Sequence, residues 1–182
     1  VKFKEDLTYR LFPKPHFFSK NTIITYDKKN LAISNFLKIH ISIKNLFSFK
    51  NLLIKDIFFL KTEFNVNSYD IGFFKKVLNA NKSEYNLNFK KSILFYKNKN
   101  EDVVFFTDID DLKFFYDEEF NQQLNTSLEI FNLPFKIFIE NDIKNKKMLM
   151  NIKSHKIRLN IENIFNYNET NKNGSLNFKI IN

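Results

Sequence analysis

Few side chains in this sequence carry chemistry, and their spacing limits what they can do. His16, His40 and His155 are far apart, and none stands at metal-ligand spacing from another histidine or from a carboxylate. Asp108, Asp110 and Asp111 offer the oxygen donors that a hard cation takes. The glycine and distal glutamate of an EF-hand loop are missing, however, so this acidic corner reads as a solvated turn between two strands. Asp117, Glu118 and Glu119 read the same way. The absence of cysteine excludes a disulfide framework and thiolate metal sites. There is no glycine-rich phosphate loop, no G-x-S-x-G elbow and no H-E-x-x-H. With no nucleophile beside a base, the expectation is a protein that is not an enzyme and has no catalytic residue, metal or cofactor.

The informative pattern is instead an apolar face. Leu37, Ile39, Ile41 and Ile43 alternate with Lys38, His40, Ser42 and Lys44. Strand side chains point to opposite faces with period two, so this stretch has one oily face and one wet face. Phe47 to Asn51 reads as a crossing segment. The next apolar run, Leu52 to Val66, is dense around Ile57 and Phe59 and alternates again at Phe64 and Val66. Leu37 to Val66 therefore reads as strand, turn, strand, and the rest of the chain is organised around it.

Composition bounds the class. The 182 residues suffice for one domain with a real core. Starting at Val1, they are expected to be a single β-rich segment, residues 1–182, of a longer protein cut at both ends. There are 24 Phe and 7 Tyr but no Trp, and only 2 Gly and 3 Pro, so turns must rely on Asn, Asp and Lys. Abundant Phe, Ile, Lys and Asn together suggest an AT-rich genome. The net charge of +9 could attract phosphate, in nucleic acid or at a membrane surface. The lysines are scattered along wet faces, and arginine occurs only at Arg10 and Arg158, which speaks against a nucleic-acid partner. No stretch reaches the roughly 18 apolar residues that span a bilayer.

In chain order, Val1 to Phe12 is an irregular lead-in, and Pro13-Lys-Pro15 enforces extended backbone. Asn21 to Tyr26 reads as a short strand and Asp27 to Asn30 as a turn. Ile71, Phe73, Phe74, Val77 and Leu78 fall at helical spacing, which predicts a short amphipathic α-helix near 69–79. Strands resume with Leu87 and Phe89. They continue through Leu124 and Leu128, past an interruption at Pro134, to Ile157, Leu159 and Ile161. Asn173-Gly174 is the strongest hairpin-turn signal, because a type I′ turn needs positive φ at both positions. The fold class is therefore mostly β. We expect a curved antiparallel meander forming an open hydrophobic groove, taco- or sandwich-like, with one short helix.

The order of these motifs resembles the AsmA-like family. The resemblance is carried by Leu11-Phe-Pro-Lys-Pro-His-Phe-Phe, Leu31-Ala-Ile-Ser, Leu37-Lys-Ile-His-Ile-Ser-Ile, Asn51-Leu-Leu-Ile-Lys-Asp-Ile and Phe64-Asn-Val. Tyr69 to Leu78, Ser92-Ile-Leu-Phe-Tyr and Ile130-Phe-Asn-Leu-Pro-Phe extend it over most of the chain. Two departures stand out: Lys50-Asn51 replaces the glycine usual between the organising strands, and the family's leading membrane helix is not in this sequence. The resemblance implies a periplasmic protein of a Gram-negative bacterium, held in the inner membrane by an N-terminal helix. Its β-groove would bind and pass phospholipid between the inner and outer membranes, in support of outer-membrane assembly, with outer-membrane or envelope proteins as possible partners. On that reading Leu37, Ile39, Ile41 and Ile43 line the groove with Ile57, Phe59, Leu87 and Phe89. Leu124, Leu128, Ile157, Leu159 and Ile161 continue the lining. The alternatives are a structural or assembly-factor β-domain whose oily face is an ordinary core, and a basic nucleic-acid-binding β-domain.

Overall fold

The computed structural model describes the chain except for Asp27, 47–51, Ile71, 73–84, Glu118, Phe120, 168–171 and 181–182. Its strands are β1 (Thr8–Arg10), β2 (His16–Tyr26), β3 (Lys29–Ile41), β4 (Ile54–Asn67), β5 (Asn86–Lys97) and β6 (Val103–Tyr116). They continue as β7 (Gln122–Ile130), β8 (Leu133–Asp142), β9 (Lys147–Ser154), β10 (Leu159–Tyr167) and β11 (Lys172–Ile180). All 11 lie side by side in sequence order in one open, curved sheet. No helix among the described residues is long and apolar enough to cross a membrane.

Every neighbouring pair is antiparallel except β4 and β5, which are parallel. Two parallel neighbours need a crossover, because a tight turn can only reverse the chain. That crossover leaves β4 through a short 3₁₀ turn, Ser68–Asp70. Buried Asp70 fixes it, accepting from the Asn67 amide at 2.8 Å and from Lys29 Nζ at 2.8 Å. Apart from this turn and Gly72, the helix expected near 69–79 lies outside the described residues, as does the expected crossing at Phe47 to Asn51.

Four local expectations are corrected. Asp108 to Asp111 is no turn: β6 runs straight through it, and Asp110 is the extra residue of a bulge opposite β7. The bulge lets Ile109 and Leu112, three residues apart, both face inward. Asn173-Gly174 is no turn either. Asn173 pairs with Asn166 and Gly174 with Phe165 inside the β10–β11 ladder, and no glycine has positive φ. The register sets Leu159 opposite Ile180 and Ile161 opposite Phe178, and runs on past Asn173 to a last pair of Tyr167 with Lys172. Ile43 leaves the strand pattern and is exposed at the start of a 3₁₀ turn, Ile43–Leu46, and Ile157 is exposed in the turn at 155–158. The meander also holds the parallel pair, which alternation cannot reveal.

A crease crosses the first half of the sheet. Asn21, Lys61 and Lys91 have φ of 50°, 51° and 50° and stand level on β2, β4 and β5. The bulge at Asp110 continues the line on β6. One left-handed residue inverts the alternation, so Phe59 and Phe64, five apart, both point inward. Five extended residues span about 17 Å. Yet the ring of Phe64 lies 5.2 Å from that of Phe89, the direct partner of Phe59. The sheet therefore folds over along this line. The core forms inside the fold, with Ile24, Leu31, Ala32, Phe64 and Val66 from one side meeting Leu37 and Phe59 from the other.

Small hydroxyl side chains line the crease, where bulkier ones would not fit. Thr22, Ser34, Thr62 and Ser92 are all buried. The Thr62 hydroxyl donates to Ser34 Oγ at 2.9 Å, Ser34 donates to the Phe36 carbonyl at 3.0 Å, and Ser92 Oγ accepts from the Thr62 amide at 3.3 Å. The bonded hydroxyls thus keep partners in a dry place, where an unpaired group is costly, while Thr22 Oγ1 is buried there with no hydrogen-bond partner.

Candidate functional site

Residues paired across strands share a face, so the register turns the apolar positions into rows. One row runs Ile39, Ile57, Leu87, Phe114, Leu124, Ile139 and Met150 from β3 to β9. The next runs Leu37, Phe59, Phe89, Leu112, Thr126, Ile137, Ile152, Ile161 and Phe178 from β3 to β11. Thr126 is the polar member, and its hydroxyl is used, donating to the Asp111 carbonyl at 3.0 Å. Leu128 stands between Ile109 and Phe135, and Leu159 between Ser154 and Ile180, in a third row. Ile41, opposite Ile54, closes the contribution of β3 and is buried. Of the residues named from the sequence, all but Ile43 and Ile157 thus share one inner face.

That face changes character along its length. At the creased end Leu37, Phe59 and Phe114 are at most 5% exposed. At the other end Leu176, Phe178 and Ile180 of β11 are 66%, 64% and 73% exposed. The crease closes β2 to β6 on themselves as a sandwich would. On β7 to β10 the same rows are half-buried, with Gln122, Thr126 and Ser154 buried among them, and on β11 they are exposed. Sequence reasoning did not single out Phe17, Leu112, Phe114, Ile137, Ile139, Met150 or Ile152 for this face. Alternation carried the signal for most of them; for Phe114 beside Phe115 it was ambiguous. Phe115 turns out to face outward, with Lys113 Nζ 4.4 Å from its ring centroid.

A polar rim borders the open rows. Tyr116, Gln122, Asn141 and Met148 form the row beyond Phe114, Leu124, Ile139 and Met150. Asn141 Nδ2 donates to Gln122 Oε1 at 2.9 Å, and Gln122 Nε2 donates to the Tyr116 hydroxyl at 3.2 Å. Just outside, the Asp117 carboxylate collects the amides of Glu119 and Asn121 at 2.9 and 2.8 Å and Gln123 Nε2 at 3.1 Å.

The outer face is less uniformly wet than alternation predicts. Over β2 to β4, Lys38 lies between Phe18 and Phe58, and Phe18 stacks on Phe36 at 5.9 Å with Arg10 4.5 Å above its ring. The register also joins histidines that are distant in sequence. His16 faces His40, with ring centroids 5.7 Å apart, and Asp56 follows on β4. His40 lies half-buried against Phe58 at 5.0 Å. Burial first, then the nearby His16, lowers its pKa below the ordinary 6.5, while Asp56 pulls it back up. His16 Nδ1 lies 2.7 Å from the Lys14 carbonyl, and Asn86 Nδ2 donates to Asp56 at 2.8 Å. Among the described residues no three His, Asp or Glu side chains converge as metal ligands would.

Fold and face together define an all-β protein built on one open, curved sheet with an apolar inner surface. In comparison with known proteins, the chain matches no family model and no curated protein.

Proposed function

We propose that the inner face of β7 to β11 is a groove for lipid acyl chains, and that this chain is a non-catalytic segment of an AsmA-like, periplasmic lipid-transfer protein anchored in the inner membrane. The observation that carries the reading is the continuity of the apolar rows out of the closed half, through half-buried positions on β7 to β10, to exposed ones on β11. From β7 to β11 the rows cross four strand spacings, about 19 Å. Burying a methylene is worth ~0.8 kcal/mol, so a chain of a dozen carbons gains roughly 10 kcal/mol, spread evenly along side chains with no fixed polar anchor. Such a surface holds a lipid tail while letting it slide. Envelope and outer-membrane proteins are the partners this reading implies.

The creased half favours a second reading for its own residues. There the oily face is an ordinary core, and a structural or assembly role would need nothing more. Photo-crosslinking separates the two. A probe at Ile139 or Ile152 is expected to capture lipid in cells, whereas one at Phe138 or Asn151, a single residue away on the outer face, is not. Probes at Leu37 or Phe59 should couple only to neighbouring strands. Lipid adducts at neither set, or at both alike, would overturn the groove.

A further inference from the structure

β11 is the last strand of the sheet, and among the described residues no strand pairs with its far side. In an antiparallel ladder every second residue aims its N–H and C=O away from the neighbour it bonds, so this edge carries a row of unpaired donors and acceptors. Edge strands are usually guarded by short length, a bulge, a proline or an inward charge. β11 runs 9 residues, and its ladder with β10 has no register shift. Gly174 to Ile180 has neither a proline nor an inward charge. The opposite edge differs, since β1 is only 3 residues long. Leu176, Phe178 and Ile180 stand on the inner face, opposite Asn163, Ile161 and Leu159, and all three are exposed. Ser175, Asn177 and Lys179 alternate with them on the outer face.

The sequence of this edge is complementary to itself. Over Gly174 to Ile180 the only charged residue is Lys179. A parallel copy in register would set Lys179 against the same lysine, which is unfavourable. An antiparallel copy centred on Asn177 sets Leu176 against Phe178, Gly174 against Ile180 and Lys179 against Ser175. Asn177 then meets its own copy on the axis, and a side-chain amide, being both donor and acceptor, can satisfy its twin. No like charges face each other, and both inner faces lie on the same side. We infer that β11 pairs with β11 of a second copy of this chain, antiparallel about Asn177, in a two-fold dimer. The sheet and its apolar rows run on from one copy into the other. The contact is small, so the dimer is a reversible one that forms at micromolar concentrations. Pairing rests on the backbone edge and does not depend on what fills the groove.

Sedimentation velocity on the lipid-free protein, from about 1 to 100 µM, tests it. The wild type is expected to shift from monomer to dimer as concentration rises and to return on dilution. Ser175→Lys brings a lysine opposite Lys179 at both ends of the seam and should weaken the dimer at least about tenfold. Its melting temperature at the lowest concentration should match the wild type, because Ser175 is exposed on the outer face. Adding Lys179→Glu to that variant creates two opposite-charge pairs and should restore the dimer, which the register about Asn177 specifically allows. A wild-type protein that stays monomeric throughout would overturn the inference and leave the edge to a different strand. So would a dimer that Ser175→Lys leaves unchanged, or one that Lys179→Glu fails to restore.

Discussion

His40 shows how a single side chain acquires properties its sequence neighbours do not suggest. Ile39 and Ile41 mark it as an outward strand residue, and it is one. The register, however, lays it against His16 from β2, Asp56 from β4 and the ring of Phe58, with Lys38 and Lys14 also contributing positive charge. Its folded pKa lies below 6.5, so the folded state takes up a proton less readily than the unfolded chain does. Stability should therefore be full above about pH 6.5 and decline as pH falls through and below that value. Thermal melts between pH 7 and pH 5 should show the decline, and His40→Gln should flatten it. An unchanged slope in the variant would assign the effect to other groups. Asp142 is shifted down from 3.8 by the Asn145 amide and side chain, so its contribution holds above that value and is lost only in stronger acid, outside this window.

At the scale of elements, alternation made the strands legible and left their bends hidden. Leu37 to Ile41, Leu124 to Leu128 and Leu159 to Ile161 read as strands because a half-buried strand writes its face into every second residue. The crease left no such mark. Glycine is the usual sign of a left-handed residue, yet Asn21, Lys61 and Lys91 hold those places, and lysine at a bend looks like any outward lysine. The same blindness turned the bulge at Asp110 into a supposed corner. It also made Asn173-Gly174 a supposed turn, although Gly174 serves by lacking a side chain: a Cβ there would sit 3.2 Å from the ring of Phe165. The crease predicts an unusual sign. Glycine inside a strand ordinarily destabilises by roughly 0.5–1 kcal/mol, whereas relieving a left-handed lysine recovers about 1–2 kcal/mol. Lys61→Gly and Lys91→Gly should therefore each raise stability by up to about 1 kcal/mol in denaturant unfolding. Lys55→Gly, on the same β4 with no positive φ, should lower it. A loss at all three positions would mean that the crease is not locally strained.

For the molecule as a whole, the apolar face was legible as a property of each strand. Its division into a closed half and an open half was not, because that depends on which strands the crease crosses. The pairing of β4 with β5 has a further consequence, for the order in which the sheet assembles. Apart from β3 and β4, which 12 residues separate, every other junction joins strands two to five residues apart in sequence, so each can zip from its turn soon after the chain collapses. The parallel junction must hold Asp56 against Asn86 and Phe59 against Phe89, partners thirty residues apart, before any of its ladder is gained. Loop closure of that length comes first and its reward later, which makes such pairing slow. The chain is thus two locally folding meanders, β1 to β4 and β5 to β11, joined along one late seam. That seam carries the stacked rings of Phe59 and Phe89 at 4.8 Å and the Thr62 to Ser92 bond. Pulse-labelled hydrogen exchange during refolding should find the β7–β8 and β9–β10 amides protected before those shared by β4 and β5. Simultaneous protection would show one cooperative unit instead. During that delay β4 and β5 each present an unpaired edge, so crowded refolding should produce swapped dimers in which β4 of one copy pairs with β5 of another.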